Sequence, residues 1–181
     1  MTHGLLFYSV WIGSVRYNPE AASTCYKIMH DILPTKHKVD QMSRNKQPSQ
    51  GRCTFCPQYN DDVIHALSLC SRSLEAAQCL LKVIKKVNAN ITLVDAVYFQ
   101  GDFGNSPLPL AWIISTSLHL IWSSRPQGGL TATKLMSELI ANLNFYPIPN
   151  LVKITSQSIE SYTIRMVLMM QSSVSYGLGM D

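Results

Sequence analysis

The stretch GRCTFCPQYNDDVIHALSLC, residues 51–70, holds three of the chain's five cysteines and one of its five histidines. Cys53, Cys56, His65 and Cys70 follow the spacing C-x2-C-x8-H-x4-C. Two cysteines two residues apart can face one ion from a tight turn, and zinc takes four nitrogen or sulfur ligands tetrahedrally. The second half of the spacing is more demanding. In one continuous α-helix, His65 and Cys70 would stand about 140° apart and about 7.5 Å along the axis. Both could not then reach one ion through bonds of about 2.0–2.3 Å. A zinc site therefore requires the helix expected from Asp61 to end near Leu69, with Cys70 turning back toward His65. Ser71 and Ser73, good helix starters, fit a break there. Asn60 is the expected cap of that helix, with Asp61 and Asp62 in its first turn, where the helix dipole favours negative charge.

Three thiolates and a neutral imidazole leave Zn²⁺ with a net charge of about −1, for which Arg52 and nearby lysines are the expected compensation. With all four positions supplied by protein, no place remains for a reacting water, so a structural ion is expected. Other readings of the stretch fit less well. A redox CxxC calls for a preceding strand and a helix starting at the first cysteine, and it leaves His65 and Cys70 without a role. A deaminase-type zinc needs His-x-Glu ahead of Pro-Cys-x-x-Cys, which the chain lacks. The segment is also too polar for cysteines placed by chance in a core. Cys25 and Cys79, by contrast, fall in helical apolar patterns and read as small buried hydrophobes.

Outward from this stretch, the sequence reads as mostly α: short helices around a CCHC zinc-stapled loop, then a bundle-like helical part. Before it, Pro19 to Leu33 reads as a helix with Ala22, Cys25, Tyr26, Met29, Ile32 and Leu33 at three- and four-residue spacing. Pro34 ends it, and Thr35 caps a second short helix to about Met42. SRNKQPSQGR (43–52) is a polar loop. After it, helices are expected over 73–87, 108–124, 131–143 with Thr131 near the cap, and 150–170. Residues 93–98 fit either a short helix or an extended segment. The expected organisation is an N-terminal fragment of a longer chain (1–20), a zinc-binding module (21–75), a helical region (76–172) and a frayed tail (173–181).

The 181 residues are 46% apolar and only 14% charged, against about 25% charged in an ordinary soluble domain. The chain should bury a core, and part of its surface should be covered by a partner or by more of its own chain. The net charge is +4. Lys27, Lys36, Lys38, Arg44, Lys46 and Arg52 against Asp31 and Asp40 account for an excess of that same size just before the cysteines. Such a cluster fits phosphates of RNA or DNA; it equally fits a solvated helix face. No membrane partner is expected: PLPLAWIISTSLHLIW (107–122) starts with prolines, contains His119 and is shorter than the roughly 20 residues of a span. GLLFYSVWI (4–12) lacks the flanks of a signal peptide. An odd cysteine count without a secretory signal points to reduced thiols in an intracellular compartment.

Together, DILPT (31–35), the short basic helix after it and the C-x2-C-x8-H-x4-C spacing resemble the zinc-binding domain that follows the polymerase in non-LTR retrotransposon reverse transcriptases. The resemblance covers about Ala21 to Glu75. It extends to a helix of the type beginning SRSLEAA (71–77) and to a tryptophan-bearing helix such as LHLIWSSR (118–125). It implies Cys53, Cys56, His65 and Cys70 as ligands of a structural Zn²⁺, and an accessory role in nucleic-acid binding beside a polymerase. Lys36, Lys38, Arg44, Lys46 and Arg52 are the expected phosphate contacts, with stacking from His37 and Tyr59 a lesser expectation. The alternative is a structural or protein-interaction domain docking on a polymerase or another subunit. No catalytic activity and no small-molecule substrate are expected. No paired-aspartate polymerase motif, converging carboxylates, Ser-His-Asp spacing or Gly-rich phosphate loop stands out, and GDFGN (101–105) is a lone turn signal.

Overall fold

The computed structural model describes residues 18–43, 51–87, 90–99 and 108–145. The helix expected at 150–170, the tail, the N-terminal stretch before Asn18, and Arg44 and Lys46 lie outside the described residues. Within them the chain is helical, with no strand and a single isolated antiparallel bridge between Arg52 and Asn60. No described helix is long and apolar enough to cross a membrane.

Helix α1, Pro19–Met29, starts at Asn18, whose side chain accepts from the Ala21 amide at 3.0 Å. It stops short of the Leu33 expected from the apolar pattern. Asp31 takes φ +51°, its amide donating to Ile28 O and the Ile32 amide to Lys27 O. This is the paired bonding of a Schellman stop, built on an aspartate where glycine is usual. Helix α2, Lys36–Met42, is capped as expected by Thr35, which accepts from the Lys38 amide at 3.3 Å. Helix α3, Leu74–Val87, and the short α4, Leu93–Tyr98, follow. The 93–98 ambiguity resolves to helix because Thr92 and Asp95 form a reciprocal capping box. Helix α5, Leu108–Ser124, runs into a 3₁₀ turn at Arg125–Gln127, and α6, Ala132–Phe145, completes the described chain.

Helix α5 organises the rest. Trp112 to Leu118 are buried without interruption, as expected of a helix that is apolar all round and enclosed by neighbours. Helix α1 crosses it, with Thr24 Oγ1 2.9 Å from His119 Nδ1. Helices α3 and α6 cover other faces, so Leu80, Ile84, Ile114, Leu118, Leu135 and Leu139 share one apolar core. Each side chain fully buried in this way contributes about 1.5–3 kcal/mol. Ile28, Leu33, Val63 and Leu67 belong to the same core. The 21–75 and 76–172 segments therefore pack on a common interior in their described parts. Cys25 and Cys79 are buried there as expected, and burial pushes both thiols up.

Candidate metal centre

Four side chains converge beside that core. The ligand atoms of Cys53, Cys56, His65 and Cys70 all lie within 4.8 Å of one another, and all four residues are buried. Cys53 Sγ is 3.8 Å and Cys56 Sγ 4.0 Å from Cys70 Sγ. A tetrahedral ion with metal–sulfur bonds of about 2.3 Å sets its sulfurs about 3.8 Å apart. A disulfide needs about 2.05 Å, and all five cysteines are free thiols.

The backbone shows how the spacing is met. Cys53 and Cys56 sit in a tight loop closed by Cys53 N–H to Tyr59 O at 2.8 Å and Tyr59 N–H to Cys56 O at 3.0 Å. The loop is drawn in by Gly51, at φ +87°, where a Cβ would meet His37 Nδ1 at 2.7 Å. On the other side, His65–Leu69 is a π turn in which the Cys70 amide donates to His65 O at 2.7 Å. An i to i+5 bond sets the two residues about one turn apart on the same side, where an α-helix would have rotated them away. Cys70 then turns extended, with ψ 138°, and the helix ends at Leu69. Ser73 Oγ donates to Ala66 O at 2.8 Å, satisfying a carbonyl in the buried π turn.

The start of this turn differs from the expectation. Asp62, not Asn60, is the cap, accepting from the His65 amide at 2.7 Å. Asp61 is not a first-turn surface acid: it is 4% exposed and lies ahead of the helix. Its carboxylate forms a two-pronged ion pair with Arg125 and accepts from the Lys36 amide at 2.9 Å. Arg125 Nη2 also donates to Cys53 Sγ at 3.1 Å. The guanidinium that meets the cysteine cluster is thus Arg125, 72 residues from Cys53 in sequence. The expected Arg52 instead donates to Pro57 O from an exposed position.

The donors are prepared as ligands. Phe55 N–H points at Cys53 Sγ (3.4 Å), while Ser71 N–H and Oγ lie 3.3 and 3.2 Å from Cys56 Sγ. The Ser71 contacts hold the Cys56 thiol below its ordinary range, whereas burial pushes Cys53 up. Burial also lowers His65 and keeps its imidazole neutral, the ligand form. Among the described residues, buried His65 Nε2 has no hydrogen-bond partner. A buried polar atom without a partner is costly, and a metal at this cluster would satisfy it. Donor set, spacing and the orphaned nitrogen fit a Cys₃His metal centre.

Of the expected phosphate contacts, Lys36 and Arg52 are exposed, and Lys38 pairs with Asp31. Tyr59 is 55% exposed and stacks on His65 with ring centroids 5.4 Å apart. His37 is half-buried and bonds Gln41 at 2.8 Å. Asp61 and Arg125 join the site without being expected from the sequence, in which the aspartate pair at 61–62 reads as helix-start chemistry. No family model, curated protein or solved structure matches the chain.

Proposed function

We propose that the chain is a zinc-binding, retrotransposon-derived module, akin to the region after a reverse transcriptase polymerase, that assists RNA or DNA binding without catalysis of its own. The observation that carries this reading is the closed set of four buried donors at Cys53, Cys56, His65 and Cys70. Soft thiolates and an imidazole at tetrahedral spacing suit Zn²⁺ better than oxygen-loving ions. Four protein ligands make the ion structural: it fixes the loop on which Arg52 stands, next to Lys36 and Lys38. Arg44 and Lys46 extend this basic set, and the five together contact phosphates. A module with three thiolate ligands that must stay unoxidised suits a reducing, intracellular setting.

The test is binding to single-stranded and duplex RNA and DNA by fluorescence anisotropy across a salt series, with zinc content measured alongside. Affinity should fall steeply with salt, with a log–log slope of about −0.7 to −0.9 for each phosphate neutralised. Reversing Lys36, Lys38, Arg44 and Lys46 to glutamate should abolish most of it. Binding unchanged by that reversal would refute the nucleic-acid role.

One observation favours the alternative of docking on a polymerase or another protein. Helix α2 has no buried residue and presents Val39 and Met42, the latter 67% exposed. Loss of a partner with Val39→Glu and Met42→Glu, while nucleic-acid affinity is kept, would favour that reading.

A further inference from the structure

Among the charged groups of the described residues Arg125 stands out: it is 6% exposed, comes from the 3₁₀ turn that follows α5, and shares no local sequence with the groups it meets. Its two terminal nitrogens hold both oxygens of Asp61, and one of them also reaches Cys53 Sγ. A buried cation beside cysteines that ionise on binding a metal can offset their charge. Three thiolates, a divalent ion and Asp61 sum to about −2. Arg125 supplies one compensating charge. Arg72, whose guanidinium lies 4.0 Å from the Phe55 ring centroid, supplies a second nearby.

A second, independent set of contacts joins the same two parts of the chain. Leu130 N–H donates to Arg72 O at 3.2 Å, and the Ala132 amide at the start of α6 donates to Glu75 Oε1 at 2.9 Å. Gly129, at φ +94°, approaches so closely that a Cβ there would lie 2.3 Å from Arg72 O. The segment leaving the last cysteine is therefore laid backbone to backbone on the 128–132 connection. The turn between α5 and α6 thus touches the cysteine segment at two places, through Arg125 on Cys53 and through Gly129 and Leu130 on Arg72.

We infer that Arg125 is the counter-ion and positioning residue of the metal centre, and that through it and the Gly129–Arg72 contact metal loading is coupled to the order of the α5–α6 connection. The inference rests on the metal-centre reading. It adds an outer partner contributed from outside the ligand segment, and a route by which the metal's presence is felt in the helical core.

Metal affinity of the full chain would be measured by chelator competition with Zn²⁺, and the thiolate-to-metal charge-transfer band with Co²⁺. Removing an outer partner of a metal ligand typically costs 10–100-fold in affinity. Arg125→Met should show a loss of that size and a charge-transfer band moved to lower energy, since Cys53 loses its charged donor. Arg125→Lys should recover part of both. Hydrogen exchange of the unaltered chain, which no folding defect can confound, should show residues 118–132 losing protection with 51–74 when the metal is stripped. Unchanged affinity and band position in both variants would overturn the counter-ion role. Protection of 118–132 indifferent to metal would overturn the coupling. An unaltered chain that binds neither ion would overturn the metal reading itself, and with it this inference.

Discussion

The α5 core and the cysteine knot lie side by side and are held by opposite means. Around α5, Ile113, Ile114, Leu118 and Ile121 are buried against aliphatic partners from α3 and α6, and stability accrues from many side chains. The knot has little of this. Its buried cluster is Cys53, Cys56 and Cys70, with only partly buried Phe55 packed against it. What closes it is directional: N–H and guanidinium donors aimed at sulfur, a two-pronged ion pair, and four donors poised around one point. Loss of one side chain should be graded in the first region, whereas loss of one of the four converging donors should be all-or-none in the second.

The largest expected effect is in the knot. Apparent binding free energies of structural zinc in small peptides are about 10–16 kcal/mol, so losing one ligand should remove most of what holds residues 51–73. Cys70→Ser should lower zinc stoichiometry from one to near zero by mass spectrometry and release the remaining thiols to titration. Retention of one tightly held zinc would break the comparison. Next comes the core: Leu118→Ala should cost about 2–5 kcal/mol by denaturant unfolding while zinc stoichiometry stays at one. Of similar size is Gly129→Ala at the seam between the regions, where about 1–3 kcal/mol of strain at positive φ is joined by a Cβ clash with the Arg72 backbone, read as a lower thermal midpoint.

The smallest effect is on pH. His119 lies between α5 and α1, and burial lowers its pKa more than Glu20, 3.3 Å away but largely exposed, raises it. Below the unfolded value of about 6.5 the unfolded chain binds the proton more readily than the folded one. His119 should therefore cost stability as pH falls from about 6.5 toward its folded value, and nothing above. Comparing the acid limb of unfolding curves with that of His119→Gln checks this. Identical limbs would show that His119 does not sense the core's burial.

The two regions were also unequally legible. The convergence of Cys53, Cys56, His65 and Cys70 could be read because such a donor set leaves a local trace, four residues within eighteen positions, and the steric problem at His65 and Cys70 foretold a break. The break takes the form of a π turn that buries Leu67 and gives Ala66 O a partner in Ser73, which a spacing rule does not encode. Thr35 and Thr131 marked helix starts correctly because capping is local chemistry; Thr131 accepts from the Lys134 amide at 3.2 Å. The end of α1 was misplaced because Ile32 and Leu33 continue the apolar period while Asp31 adopts a conformation usually left to glycine. Asp61 and Arg125 were illegible for a different reason. Their pairing spans 64 residues and no periodicity records it.

That long separation has a consequence for how the chain is made. The ribosome releases all four ligands before it has built Arg125. At about 5–20 residues per second, the 64 residues from Asp61 to Arg125 take roughly 3–13 s to synthesise. During that interval the four donors are already present, while Asp61 and Cys53 are still without the guanidinium they meet in the folded chain. The contacts of Asp61 and Cys53 with Arg125 can therefore form only after that interval, once the turn that follows α5 has been made.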